Sequence, residues 1–328
     1  MKYHSHSKNC YPWLVMNITI EVIWFVSNIM NVYRVVLIVL TMQVLFVFCL
    51  VFIFSSLNEI TRVEPALSKG VFIMVLSGRY NFENRDNMRQ VGLMKYHSDS
   101  ITVKFIIGNR PCRVPLALRS TPYTCIGGRE TDAFKTELQL LNDNVTVEKL
   151  RFNDIVEVDM IDYYRSLPKK LKLAYKWGVE NTNSEWFFKI DDDCFFNSGV
   201  IDDYFSSLRY EDKLVLIGNM VIDAEVPTSG KWMELDYRKP KYPPFPKGSL
   251  SHVANRRFAN YVADHVDELF EYQGEDVSTG IWVDENIPNV SIINEQVLLS
   301  SKVLCNKNTS WACGHDLKLH ELKSLVTL

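Results

Sequence analysis

Trp186-Phe187-Phe188-Lys189-Ile190-Asp191-Asp192-Asp193-Cys194-Phe195-Phe196-Asn197 is the stretch that decides how the chain is read. An apolar run of the kind that forms a strand buried on both faces meets three adjacent carboxylates, and apolar residues resume at once. Like charges this close repel, and desolvating any of them is costly unless a cation compensates. Alternate residues of an extended segment face the same way, so Asp191 and Asp193 address one point while Asp192 faces elsewhere. A hard divalent cation held by carboxylates and by substrate phosphates accounts for the cluster. The competing reading, an Asp-rich cap or turn in solvent, sits poorly between such apolar flanks.

Working outward, the segments upstream alternate between strand and helix. Val71 to Leu76 is an apolar run ending at Ser77-Gly78, and Ile101 to Ile107 repeats it and stops at Gly108. Between them Asn81 to Tyr96 has helical spacing, with Arg85 and Arg89 four apart. Asp154 to Val158 reads as a third strand, Lys169 to Glu180 as a helix with Leu171, Ala174, Tyr175 and Gly178 on one face, and Trp186 to Ile190 as the fourth strand. Strand, helix, strand in this rhythm predicts a parallel α/β sheet, and in such sheets ligands bind beyond the carboxyl ends of strands, where the three aspartates stand.

Three downstream features add chemistry. Gly274-Glu275-Asp276-Val277-Ser278-Thr279-Gly280 puts two carboxylates at the start of a short helix, where one can accept a proton from a hydroxyl or simply complement the helix dipole. Lys241-Tyr242-Pro243-Pro244-Phe245-Pro246-Lys247-Gly248, after Lys231-Trp232, is either a rigid aromatic loop suited to stacking on sugar rings or an ordinary polyproline connector. Cys313-Gly314-His315-Asp316 supplies a histidine that either completes a metal sphere or is an ordinary surface residue.

The 328 residues are 47% hydrophobic with a formal net charge of −3, which excludes a disordered tail and a protein that holds nucleic acid by neutralising phosphates. No nucleic-acid partner is expected. Val35 to Phe54 is twenty residues without a charge, and a helix of that length covers the roughly 30 Å of a bilayer's hydrocarbon. It predicts an uncleaved signal anchor rather than a cleaved leader, because no small-residue cleavage site follows. Lys2, Lys8 and Arg34 precede it, so the positive-inside bias keeps the N-terminus cytosolic and the bulk of the chain lumenal. The expected organisation is a cytosolic leader over 1–34, with an apolar stretch at 11–33 read as interfacial, an anchor over 35–54, a stem over 55–69 and one lumenal domain over 70–328. Sequons at Asn144, Asn289 and Asn308 agree with that address. Five of the seven cysteines fall on the oxidising side. Cys112 with Cys125 and Cys305 with Cys313 make two short-loop pairings, spacing alone leaves connectivity open, and Cys194 would remain an odd thiol.

Taken in order, these blocks resemble the β1,3-galactosyltransferase family, glycosyltransferase family thirty-one, with the Fringe hexosyltransferases as relatives. The resemblance runs from about residue 70 to 320. It is carried by Arg85-Asp86-Asn87-Met88-Arg89 with Gly92, Phe105 to Gly108, Glu148 to Lys170, Lys189 to Asn197, Tyr242 to Gly248 and Glu275 to Gly280. The chain departs from the family pattern at Gln90-Val91, Asn153, Pro246 and Ser278.

The resemblance implies a nucleotide-sugar-binding GT-A fold, an α/β sandwich with a mixed, mainly parallel sheet. It implies inverting transfer of Gal, GlcNAc or GalNAc from a UDP-sugar to a glycan, glycolipid or glycoprotein hydroxyl in β1,3 linkage, by a Golgi enzyme anchored as a single-pass type II membrane protein. Asp191, Asp193 and His315 would hold Mn²⁺ or Mg²⁺, Asp276 would act as general base, and Asp191, Asp192, Arg85 and Lys170 would bind the donor. A catalytically silent member of the same fold and a membrane-anchored metal-dependent phosphohydrolase are the two alternatives.

Overall fold

The computed structural model describes residues 70–95, 100–129, 131–208, 213–248, 251–296 and 299–326, together with 30, 34 and 40–46. Its contacts divide the chain into Met1–Ala66 and Leu67–Leu328. In the first unit residues 40–46 are helical. The rest of the expected anchor, nearly all of the leader and the whole stem lie outside the described residues. Among the described residues no helix is long and apolar enough to cross a membrane.

The second unit alternates strand and helix as far as its centre: β1 (Val71–Leu76), α1 (Phe82–Gln90), β2 (Ile101–Pro111), α2 (Asp132–Phe152), β3 (Ile155–Asp162), α3 (Leu167–Asn181) and β4 (Trp186–Asp191). There follow β5 (Phe195–Phe196), α4 (Ser198–Ser207), β6 (Leu214–Gly218), β7 (Met220–Val221), β8 (Phe245–Pro246), β9 (His252–Asn255) and α5 (Arg256–Asp264). The chain closes with α6 (Glu275–Glu285), β10 (Val290–Asn294), β11 (Leu299–Ser300), β12 (Ala312–Cys313) and α7 (Leu319–Val326).

Two boundaries differ from the sequence reading. The helix expected over 81–96 ends at Gln90 and is followed by a separate 3₁₀ turn, Leu93–Lys95, because Gly92 between them takes a left-handed φ of 84°. The strand expected to stop at Gly108 continues to Pro111, its pairing with β3 shifting register between Gly108 and Arg110. Such an irregularity bends the strand and increases its local twist.

One seven-stranded sheet, ordered β10-β6-β9-β4-β1-β2-β3, carries the domain, and β9 alone runs against the other six. All six residues of β1 are buried. Val71, Ile73 and Val75 enter one core with Met88 of α1, Leu138 of α2 and Phe205 of α4. Phe72, Met74 and Leu76 enter the other with Leu171 of α3, Phe258 of α5 and Trp282 of α6. Helices therefore cover both faces, which is why the central strands read as unbroken apolar runs. The predicted face of α3 holds, with Leu171, Ala174, Tyr175 and Gly178 all buried.

From β1 the chain steps outward through β2 to β3, then returns to the opposite side of β1 at β4. Strand order thus reverses between β1 and β4, and the crevice beyond their carboxyl ends is where open α/β sheets bind ligands. Leu76 pairs with Asp191 in register, so the turn after β1 and the acidic run after β4 emerge side by side. Asn153, one of the departures from the family pattern, closes α2 at a left-handed φ of 52°, a conformation that Asn tolerates almost as Gly does. Disulfides Cys112–Cys125 and Cys305–Cys313 are formed, and Cys194 is a buried free thiol.

Candidate active site

A cleft of about 600 Å³ opens at the carboxyl ends of β1 and β4. Asp191, Asp192, Asp193, Lys170, Asp276 and His315, separated by up to 145 positions in the chain, all line it.

The three aspartates are held apart by different partners. Asp191 Oδ1 pairs with Lys189 Nζ at 2.9 Å. Asp192 turns the other way and is buried: its Oδ2 accepts from Ser77 Oγ at 2.6 Å and Asn81 Nδ2 at 2.9 Å, and its Oδ1 from Asn84 Nδ2 at 2.9 Å. It thereby fastens the end of β4 to the turn between β1 and α1. Asp193 meets His315, with Nδ1 3.2 Å from Oδ1. Burial alone would raise the Asp193 carboxyl, but the hydrogen bond and charge of His315 hold it below the ordinary value. The same hydrogen bond raises the His315 imidazole. Burial raises Asp191 to about 6, Lys189 opposing and the carboxylates of Glu275 and Asp193 reinforcing.

The donor set can be judged on its chemistry. Asp193 Oδ1, Cys194 Sγ and a ring nitrogen of His315 lie within 4.8 Å of one another. The thiol is turned to the Gly314 carbonyl at 2.9 Å, and burial first, then Asp191 and Asp193, push its titration well up, which weighs against it as a ligand. Carboxylate oxygen and imidazole nitrogen remain, a hard oxygen beside a borderline nitrogen, a pair that fits Mn²⁺ better than Mg²⁺.

Asp276 stands at the N-terminus of α6, partly buried and facing the cleft. Burial first, then the neighbouring Glu275 carboxylate, raise it to about 7. A general base works best when its pKa lies near the operating pH. Space for this carboxylate comes from glycines on both sides. A Cβ on Gly248 would lie 2.5 Å from Asp276 Oδ2, and one on Gly274 2.5 Å from Oδ1.

Lys189 joins the two halves of the site. Its ammonium, 1% exposed, reaches Asp191 and Glu275 at 2.9 Å each and donates to the Gly248 carbonyl at 3.2 Å, so all three of its donors are used. Burial alone would neutralise it, but the two carboxylates reverse that and keep it charged. The sequence reading passed over Lys189, although a lone lysine inside a fully buried strand must have anionic partners. Behind it His252, pushed down to about 3 by burial and then by Lys189, takes a hydrogen bond with Tyr175 Oη at 3.2 Å as a neutral ring.

Two expected donor-binding residues separate. Lys170 is buried in the cleft wall, donating to the Ser77 carbonyl at 2.5 Å and Asp162 at 2.7 Å. Arg85 is fully buried and not among the lining residues. It grips Glu148 through Nε and Nη2 at 2.9 and 2.7 Å and reaches the site through Ser77 Oγ at 3.0 Å. Glu148 also takes Arg89 at 2.6 Å, and Arg89 pairs with Asp154 at 2.8 Å. The spacing of Arg85 and Arg89 therefore serves a buried ion network that sets α1 on α2.

The aromatic loop is corrected in part. Tyr242 and Phe245 pack into a small core with Tyr237, Val277 and Ile281 behind α6, so they cannot stack on a ligand. Trp232, 59% exposed, lines the cleft instead, and the Lys231 ammonium lies 4.6 Å from the Tyr164 ring centroid beside it. Alternation of Pro and aromatic residues cannot distinguish a face turned inward from one turned to solvent.

A family model described as Galactosyltransferase matches residues 134–294, from α2 to β10. Over those residues the chain is similar to this galactosyltransferase family. The matched span includes Lys189, the acidic run and Asp276, and stops short of His315. Among curated relatives, the UDP-GalNAc:beta-1,3-N-acetylgalactosaminyltransferase 2 of Danio rerio is 40% identical over 136 residues, which is 42% of this chain and 28% of that protein. The enzyme of the same description from Homo sapiens is 37% identical over 132 residues, 40% of this chain and 26% of that one. The match to these relatives thus spans less than a third of their length.

Proposed function

We propose that this chain is a metal-dependent inverting hexosyltransferase that moves Gal, GlcNAc or GalNAc from a UDP-sugar to a glycan or glycoconjugate hydroxyl in β1,3 linkage. The observation that carries it is the convergence, in one cleft, of a carboxylate–imidazole donor pair and a carboxylate raised to about 7. The printed activity of the relatives supports UDP-GalNAc as the first donor to try.

Asp193 and His315 would hold Mn²⁺ or Mg²⁺, with Asp191 beside them. A cation bound there supplies positive charge to the diphosphate as it leaves. Asp276 takes the proton of the acceptor hydroxyl as that oxygen forms its bond to the anomeric carbon, and the bond from that carbon to the diphosphate oxygen breaks on the opposite face. One displacement inverts the anomeric centre, so an α-linked donor gives a β-linked product. Lys189 keeps Asp191 and the N-terminus of α6 in fixed relation throughout, and Asp192 holds the wall formed by the turn after β1. The apolar span at 35–54 and the charges before it support a Golgi membrane protein of single-pass type II topology with this domain lumenal.

The test is UDP release by the full chain in detergent, with Mn²⁺ and a panel of UDP-Gal, UDP-GlcNAc and UDP-GalNAc, with and without glycan acceptors. Acceptor-dependent release from at least one donor is expected. Donor binding with no turnover under any acceptor would favour the silent reading, and equal release without acceptor would favour a hydrolase.

A further inference from the structure

The function proposed above leaves the three sequons unused, and the structure sets one of them, Asn144-Val145-Thr146, in the middle of α2. That helix buries Phe134, Leu138, Leu141, Val145 and Glu148 as a single stripe. The remaining face points to solvent, and it is not uniformly polar: Leu140 is 60% exposed and Val147 64% exposed. Asn144 is exposed between them, one turn after Leu140 and just under one turn before Val147. Residues at these spacings are neighbours on a helix surface, with Cβ atoms about 5–6 Å apart. Side chains on a helix lean toward its N-terminus, so a group carried by Asn144 lies over Leu140, and Val147 leans back toward Asn144.

We infer that Asn144 carries an N-linked glycan whose first sugars cover this apolar face. In the attachment step the Asn144 amide nitrogen bonds to the anomeric carbon of an oligosaccharide held on a polyprenyl diphosphate. The bond from that carbon to the diphosphate oxygen breaks, the lipid diphosphate departs with the electron pair, and the amide gives up one proton. The N-acetyl methyl and the C–H faces of the first sugars are apolar, and Leu140 and Val147 supply the matching surface on either side. Val145, the middle residue of the triplet, is 2% exposed and locks the helix orientation that turns Asn144 and Thr146 outward. The other two sequons lie in different settings: Asn289 in a left-handed turn with a φ of 57°, and Asn308 inside the Cys305–Cys313 loop, where Ser310 is buried. The inference rests on the lumenal address of this domain.

The full chain is expressed in a secretory cell line, deglycosylated with peptide-N-glycosidase in heavy-oxygen water and mapped by mass spectrometry. Label at position 144 is expected, together with loss of one mobility step in Asn144→Gln. That variant should keep wild-type turnover per folded molecule and bind an apolar dye at least twofold more strongly, and adding Leu140→Lys and Val147→Lys should abolish the excess. Label at Asn289 or Asn308 with none at Asn144 would overturn the inference while sparing the lumenal address. No label at any sequon would overturn both. A labelled Asn144 whose Gln variant binds no more dye would overturn the covering role.

Discussion

Turnover should depend steeply on pH across neutrality, and Asp276 sets the size of the effect. Its carboxyl is raised to about 7, burial first and Glu275 second, and the proposed base role requires the ionised form. About a tenth is ionised at pH 6 and about nine tenths at pH 8, so kcat/KM rises about tenfold between them, whereas a carboxyl with an ordinary value near 4 would give no change. The assay is initial-rate UDP release at saturating Mn²⁺, which separates this ionisation from that of the metal-facing groups. Asp276→Asn should lower kcat by about 10² or more while leaving UDP binding intact. It should also gain stability at pH 8. Because the folded value is raised above the unfolded one, the native state binds this proton more tightly, and stability falls as pH rises from about 4 to about 7. The Asn variant lacks that loss, and its Tm should fall less than that of wild type over the window. A flat rate profile from pH 6 to 8, or wild-type turnover by the Asn variant, would refute the assignment of Asp276 as base.

Other expectations follow from neighbouring residues. Asp193→Ala should abolish Mn²⁺-dependent UDP-sugar binding, measured by calorimetry, and retained binding would remove Asp193 from the metal site. Because Asp193 raises the His315 imidazole and a ligating ring must be neutral, Mn²⁺ affinity should increase with pH through and above the ordinary histidine range, an increase that His315→Ala should blunt. Gly248→Ala, whose Cβ would meet the Asp276 carboxylate, should lower kcat with little change in donor affinity. Glu148→Ala leaves Arg85 and Arg89 buried without their shared partner, at a cost of about 3–5 kcal/mol, and should lower Tm by roughly 6 °C or more in thermal melts.

Much of this fold is legible locally. Val71 to Leu76 and Trp186 to Ile190 read as doubly buried strands because helices cover both faces of the sheet, and α3 shows its inner stripe by period. The acidic run stood out because three carboxylates beside apolar residues violate ordinary burial. Asp276 and His315 could be named as candidates, but nothing near either residue in the chain links them to Asp193.

The sequence by itself determined which residues must be buried, which segments alternate, and where charge is anomalous, since those properties depend on residue type and on neighbours within a turn or a strand. Only the tertiary structure decided that β1 and β4 lie side by side with strand order reversing between them, that Lys189 ties Asp191 to Glu275, and that Tyr242 turns inward while Trp232 faces the cleft. These are outcomes of packing between segments far apart in the chain, such as Asp193 and His315, 122 positions apart, and no local period or propensity carries them.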